Sequence, residues 1–326
     1  MSITWRPSAD LKTLRHRARL LQDIRAFFAA RDVLEVETPL LCHATGTDPQ
    51  LAFFSSRLDC PPQHPTLYLQ TSPEFAMKRL LAAGSGCIFQ ICKAFRNGEA
   101  GRHHNPEFTI LEWYRIGFTL HDLMDEVAEL LVSVLADHLE SLSIHKMSYQ
   151  QLFQDCTGLD PLLFCRDAYR TFAERQGFVE ANRLCEEDHA LWLDFLFSHC
   201  VQPAMLPGTL YLLYGYPAIQ SSLARIHPDD PRIAERFEVF IDGIELGNGF
   251  FELNDAREQS VRFEREIVYR QAHALPAVAK DQRLLEALAS GLPDCSGVAI
   301  GLDRLLMLAS GSHSISQVLA FPYPHN

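Results

Sequence analysis

The chain has 326 residues, 47% of them hydrophobic and 21% charged, enough apolar material to bury a large core. Lys and Arg total 29 against 41 Asp and Glu, a net charge of -12, so there is no general basic footprint for nucleic acid. The N-terminal MSITWRPSAD lacks the apolar core of a leader, no run reaches membrane-spanning length, and the nine scattered cysteines form no C-x-x-C pair; a cytoplasmic protein is expected, without membrane anchoring or a zinc site.

Leu11, Leu14, Ala18, Leu21, Ile24 and Phe28 recur at helical spacing and predict an amphipathic opening helix. A short strand follows from Val33 to Pro39, which the proline ends or places at a sheet edge. Such a helix and edge strand suit either pairing with a symmetry mate or covering the protein's own sheet.

The stretch Phe89 to Arg115, FQICKAFRNGEAGRHHNPEFTILEWYR, reads as a hairpin. Ile88, Gln90, Cys92, Ala94 and Arg96 share one face of its first strand, with Phe89, Ile91, Lys93 and Phe95 on the other. A turn-rich loop, Asn97 to Gly101, leads to a second strand on which Phe108, Ile110, Glu112 and Tyr114 share a face. The hairpin therefore gathers an arginine, an aromatic plate and a carboxylate over one patch. Arg102, His103 and His104 crowd the loop, and an arginine's planar, permanently charged fork suits phosphate.

A second helix is expected from Leu120 to about Leu139, and helical patterns from Ser141 to Pro207, notably Asp188 to Val201. Leu210 to Tyr216 reads as a strand. Phe237, Val239 and Ile241 alternate, Asp242-Gly243 supplies a hairpin turn, and Glu245 begins the return strand. Helices near Asp255 to His273 and Asp281 to Ser290 precede Gly297 to Leu308, a strand entering a buried helix near Asp303 with Arg304 in its first turn. Hairpins with helices outside them predict an α+β fold.

In this order the stretches resemble the class II aminoacyl-tRNA synthetases, and among them the lysyl branch. Phe95-Arg96 with Arg102 to Phe108 is similar to the family's second motif, Gly297 to Arg304 to its third, and Glu35 to Pro39 to its first. Thr71-Ser72-Pro73-Glu74 and Glu245 to Asp255 are further lysyl-type matches. The resemblance runs from about Leu11 to Phe321 and is weak between Ser141 and Pro207. It implies a mainly antiparallel sheet flanked by helices, in a single catalytic domain over 1–326 with a helical insertion at about 141–207 and no anticodon-binding domain. One position departs from the pattern: lysyl enzymes carry Glu two residues after the second-motif arginine, where this chain has Gly98 followed by Glu99.

The implied chemistry is ATP-dependent activation of an amino-acid carboxylate, in which fixed positive groups meet the crowded phosphate charge. By resemblance Arg96 and Arg304 are the catalytic residues, Arg96 on the α-phosphate and substrate carboxylate, Arg304 with His104 on the γ-phosphate. Phe108 and the Arg304 guanidinium sandwich the adenine, with Asn97, Gly98, Glu99, Asn105, Leu246 and Gly301 completing the ATP site. Glu245 and Glu252 are the implied Mg²⁺ ligands, brought to one side if a bulge lies between them. Ser72, Pro73, Glu74, Glu112, Tyr114, Glu252, Asn254 and Ala299 line the implied amino-acid pocket, whose carboxylates suit a lysine-type cation. Glu74 is also placed to cap the following helix, Phe75 to Leu81, a role compatible with binding. Ala299 stands where lysyl-tRNA synthetases carry glycine. The resemblance is closest to a standalone branch, which implies β-lysine as substrate, a lysine side chain of elongation factor P as acceptor in place of tRNA, and a homodimer. A free-standing adenylating enzyme with another acceptor and a non-catalytic regulatory subunit stay open as alternatives.

Overall fold

The computed structural model describes residues 5–136 and 142–325. Helix α1 (Leu11–Ala29) starts where Asp10 accepts from the Thr13 N–H at 2.7 Å. Then come β1 (Leu34–Glu35), β2 (Leu41–Cys42), β3 (Ser55–Arg57), β4 (Thr66–Leu69), α2 (Glu74–Ala82), β5 (Ile88–Phe95) and β6 (Glu107–Ile116). Helix α3 (Leu120–Leu135) precedes β7 (Ser143–Ser148) and four helices, α4 (Tyr149–Thr157), α5 (Arg166–Arg175), α6 (Ala181–Cys185) and α7 (His189–Leu196). Strands β8 (Thr209–Pro217), β9 (Ile233–Ile241) and β10 (Ile244–Phe251) lead to α8 (Ala256–Ala272), α9 (Gln282–Gly291), β11 (Cys295–Gly301) and α10 (Leu302–Ala309). Among the described residues no helix is long and apolar enough to cross a membrane.

The chain divides into two compact units. The first takes Met1–Phe118, Leu130–His138 and Asn254–Asn326. It holds strands β1-β5-β6-β11 in that order, with β1 parallel to β5 and the other pairs antiparallel, and a separate antiparallel sheet β2-β4-β3. One face of the β5–β6 hairpin is apolar and lies under α1. Phe28 of the helix stacks on Phe89 at 4.5 Å between centroids and meets Trp113 edge-on at 5.3 Å, and all three are buried. That burial fixes which face of the hairpin turns away from α1, because a one-residue slip would send every side chain to the wrong side.

The second unit takes Thr119–Glu129 and Leu139–Leu253. Its strands run β10-β9-β8-β7, antiparallel except for the parallel pair β7 and β8. Tyr211, Leu213, Tyr216 and Phe240 from the sheet form a core with Tyr149, Phe153, Tyr169 and Trp192 from the helices. Asp242 and Gly243 hold φ of 53° and 69°, the two left-handed residues a tight β9–β10 hairpin needs.

The expected α+β class and mainly antiparallel pairing hold in both units. Three local expectations differ. The first-motif strand is regular only over Leu34–Glu35; the Val36 N–H still reaches the Phe89 carbonyl at 2.9 Å, and Pro39 has no N–H to extend the ladder. The region read as helical also supplies β7, whose Ser143 to Lys146 are exposed and so carry no apolar alternation to detect. The helix expected over Asp188 to Val201 is α-helical to Leu196 and closes with a π-turn, Phe197–Val201. The expected end of α3 near Leu139 and the expected start of the insertion at Ser141 fall outside the described residues.

Candidate active site

Strand β6 lies between β5 and β11, and its register builds the floor of the site. Glu112 is opposite Gln90 on one side and Ala299 on the other. Tyr114 is opposite Ile88 and Gly297, Ile110 is opposite Cys92 and Gly301, and Phe108 is opposite Ala94. Directly opposed residues share a face, so the row expected from sequence forms as one surface.

Glu112 is 2% exposed and firmly oriented. One carboxylate oxygen accepts from the Tyr114 hydroxyl and the other from the Ser72 hydroxyl, both at 2.7 Å. Ser72 Oγ also accepts from the Glu74 N–H at 3.1 Å, tying the start of α2 to the same floor. Pro73, not Glu74, is the N-cap of α2, and no side chain caps it. Glu74 instead sits in the first turn and pairs with the buried Lys78, Nζ to Oε1 2.5 Å, so it supports the helix start through its charge and not as the N-cap residue. The neighbouring Cys92 thiol is pushed up to about 12, first by burial and then by the charge of Glu112, so it stays protonated and does no thiolate chemistry.

Beyond the end of β5 the Arg96 N–H is still paired, to the Pro106 carbonyl at 2.9 Å, and its guanidinium carbon lies 5.1 Å from the Phe108 ring centroid. Arg96 Nε is buried with no hydrogen-bond partner among the described residues, so it is a donor left open. Gly98 holds φ of 83°, a conformation a glutamate there would resist. Glu99 brings the carboxylate one residue later, 3.7 Å from Arg96 and 4.0 Å from His104. Asn97 anchors the loop through its N–H to the Ala52 carbonyl at 2.9 Å.

Arg304, three residues past Gly301 in the first turn of α10, donates from Nε to the His103 carbonyl at 3.1 Å and from Nη2 to His104 Nε2 at 2.7 Å. A guanidinium has no acceptor, so His104 Nε2 carries the lone pair and the ring proton is on Nδ1. Burial, then the charges of Arg102 and Arg304, hold the His103 imidazole below its usual range and keep it neutral. Asp303 is 1% exposed, ion-paired with Arg17 of α1, and accepts from the Thr109 N–H at 2.8 Å, which locks the start of α10 against β6.

The chain's last turns hold this loop. Arg102 accepts from the Ile315 N–H at 2.9 Å and donates from Nε to the His313 carbonyl at 2.8 Å. Asn105 accepts from the Tyr323 N–H at 2.9 Å and donates to the Glu107 carbonyl at 2.6 Å. Both ends of the Asn105 amide thus take part in holding the loop. Asn254 likewise donates to Asp294 at 3.0 Å.

In the second unit the expected bulge is present. Glu245 pairs with Phe240 and Gly247 with Val239, leaving Leu246 as the extra residue. From there Asn248 is opposite Glu238 and Phe250 opposite Arg236, so Glu252 continues on the same face as Glu245. Two oxygen donors on one face fit Mg²⁺, which is commonly held by one or two carboxylates together with substrate phosphates. Among the described residues no group of three or more His, Cys, Asp or Glu is arranged around a metal position. Beside them on that face, Arg236 pairs with Glu238 at 2.5 Å, and Tyr216 donates to Glu238 at 2.7 Å. Burial pushes the Glu238 carboxyl up to about 7, against the pull of Arg236 and with the charge of Glu245 adding to it.

Sequence reading assigned no role to Lys78, Gln90 or the His313 to Tyr323 segment. The E-x-x-x-K spacing signals Lys78, and strand alternation places Gln90 beside Glu112. Nothing in side-chain identity signals the tail, since most of its contacts to the loop are made by backbone groups.

The chain matches the family model of class II tRNA synthetases (D, K and N) over residues 2–325, and it belongs to that family. It is similar over its whole length to a Vibrio atlanticus protein named elongation factor P--(R)-beta-lysine ligase, 48% identical with 100% of both chains covered. Proteins of the same name from Salmonella paratyphi B and Salmonella schwarzengrund are 49% identical over 98% of this chain and 97% of theirs. The resemblance read from the motifs is borne out.

Proposed function

We propose that this chain activates (R)-β-lysine with ATP and transfers it to a lysine side chain of elongation factor P. The observation that carries this reading is the end-to-end similarity to the named β-lysine ligases. The geometry supports it: a phosphate-seeking arginine lies over Phe108, and the hydrogen-bonded Glu112 shares the Phe108 face of the β5–β6 hairpin. We read the chain as one catalytic domain with an insertion, a reading supported by a family match over residues 2–325.

In the first step a carboxylate oxygen of the amino acid attacks the α-phosphorus, and the bond to the β-phosphate oxygen breaks to release pyrophosphate. Arg96 meets the α-phosphate and carboxylate; Arg304 and His104 hold the γ-phosphate. Phe108 offers its face to adenine, with Asn97, Gly98, Glu99, Asn105, Leu246 and Gly301 around the nucleotide. Glu99, displaced by one residue from the lysyl pattern, is the carboxylate available to the adenine amine. Glu245 and Glu252 would hold Mg²⁺, whose charge would offset that of the phosphates. Ser72, Pro73, Glu74, Glu112, Tyr114, Glu252, Asn254 and Ala299 contact the amino acid. In the second step the neutral ε-amine of the acceptor lysine attacks the acyl carbon, the bond to AMP breaks, and the nitrogen loses its proton. That amine has an unperturbed pKa near 10.4, so its deprotonation favours transfer at alkaline pH.

The assay that tests this reading is ATP–pyrophosphate exchange across α- and β-amino acids, followed by mass spectrometry of elongation factor P. Exchange with (R)-β-lysine and a matching mass gain on one lysine are expected; exchange only with acidic or neutral amino acids would sink the proposal. We expect no requirement for tRNA. Nine free cysteines suit a reducing cytoplasm.

We also expect a symmetric homodimer through α1 and the β1 edge, where Leu34, Leu40 and Leu41 are exposed. Light scattering at micromolar concentration should give about twice the chain mass, and a monomer would overturn this assembly.

A further inference from the structure

Gln90 is buried on the floor of the amino-acid pocket, 2% exposed and directly opposite Glu112. Its carboxamide oxygen is buried with no hydrogen-bond partner among the described residues. The oxygen is therefore the open end of this side chain. Ala299, on the far side of Glu112, puts only a methyl group over this row. Buried acceptors left unpaired are rare and costly, and where one persists beside a substrate pocket a ligand donor is a physical reason for it.

We propose that Gln90 is a specificity-determining residue whose carboxamide oxygen accepts a hydrogen bond from an ammonium group of the substrate beside Glu112. This rests on the lysine-type reading of the pocket. An ammonium offers three N–H donors, so a carboxylate alone does not satisfy it. The carboxamide oxygen supplies an additional acceptor directly opposite Glu112. A substrate with a methyl or methylene in place of the ammonium leaves the oxygen unpaired and is rejected, the stronger form of discrimination available to a polar site.

The test compares Gln90→Met, which keeps length but removes the acceptor, with Gln90→Glu, which keeps an acceptor oxygen. KM is measured in pyrophosphate exchange for (R)-β-lysine at saturating ATP and for ATP at saturating amino acid, and β-lysine binding is measured by calorimetry without ATP. Gln90→Met should raise the β-lysine KM and Kd about tenfold or more, with the ATP KM within about twofold, and Gln90→Glu should recover most of the loss. An unchanged β-lysine KM in Gln90→Met, as expected if ordered water completes the oxygen, would overturn the inference. So would equal losses in both variants, or a loss shared by ATP, which would mark a packing role. If Gln90→Met does not fold by circular dichroism, Gln90→Glu decides: near-native β-lysine affinity supports the inference, and a tenfold loss of β-lysine affinity overturns it. Failure of the unsubstituted protein to activate any lysine-type amino acid would sink the proposed function; activation with an unchanged KM in Gln90→Met would sink the Gln90 role alone.

Discussion

Replacing Arg304 with alanine is expected to lower ATP–pyrophosphate exchange by roughly a hundredfold or more, corresponding to about 3 kcal/mol of lost transition-state stabilisation. The size follows from what the guanidinium holds. It donates to the His103 carbonyl and to His104 Nε2, so its loss removes one phosphate-seeking charge and loosens the loop that carries the other contacts. The fold should survive, because α10 is anchored by Asp303 through Thr109 and Arg17 and not by Arg304. Arg304→Lys should recover only part of the loss, since an ammonium keeps the charge but not the fork that spans both partners. Unchanged exchange in Arg304→Ala, with a native circular-dichroism spectrum, would place the triphosphate elsewhere.

Ala299→Gly is expected to move the kcat/KM ratio toward α-lysine and away from β-lysine by roughly ten- to two-hundredfold, the range one methyl commands in a tight pocket. The register gives the reason. Ala299 is directly opposite Glu112, so its methyl narrows the space on one side of the carboxylate expected to meet the substrate amine. Shifting that amine from the α to the β carbon changes which side needs room. Both isomers should be compared in both proteins, with saturating ATP. A ratio that does not move removes Ala299 from the specificity argument, and strong activation of aspartate by the unsubstituted protein would remove the lysine-type pocket with it.

Much of the framework was legible because it is written in short-range patterns. Alternation along Ile88 to Arg96 and Phe108 to Tyr114 defined the two faces of the hairpin, and burial of Phe89 and Trp113 against Phe28 selected the one that turns away from α1. Helix starts near Asp255 and Asp281 were equally local, since each aspartate accepts from backbone N–H groups two or three residues on. The Asp242-Gly243 turn needed only two residues that tolerate positive φ.

The sequence by itself determined the fold class, the shared face of Glu112, Tyr114 and Phe108, and the family to which the chain belongs. Tertiary structure decided how those groups are held. Strand register put Gln90 and Ala299 on either side of Glu112, from segments far apart in the chain. One residue inserted at Leu246 turned Glu252 to the side of Glu245; sequence allowed such a bulge among the glycines without locating it. The loop from Arg102 to Asn105 is fixed in part by the N–H groups of Ile315 and Tyr323, more than two hundred residues away. Periodicity and turn chemistry act over a few residues and leave a mark in side-chain identity. A backbone donor is the same in every residue but proline, so its partner is chosen only when packing brings distant segments together.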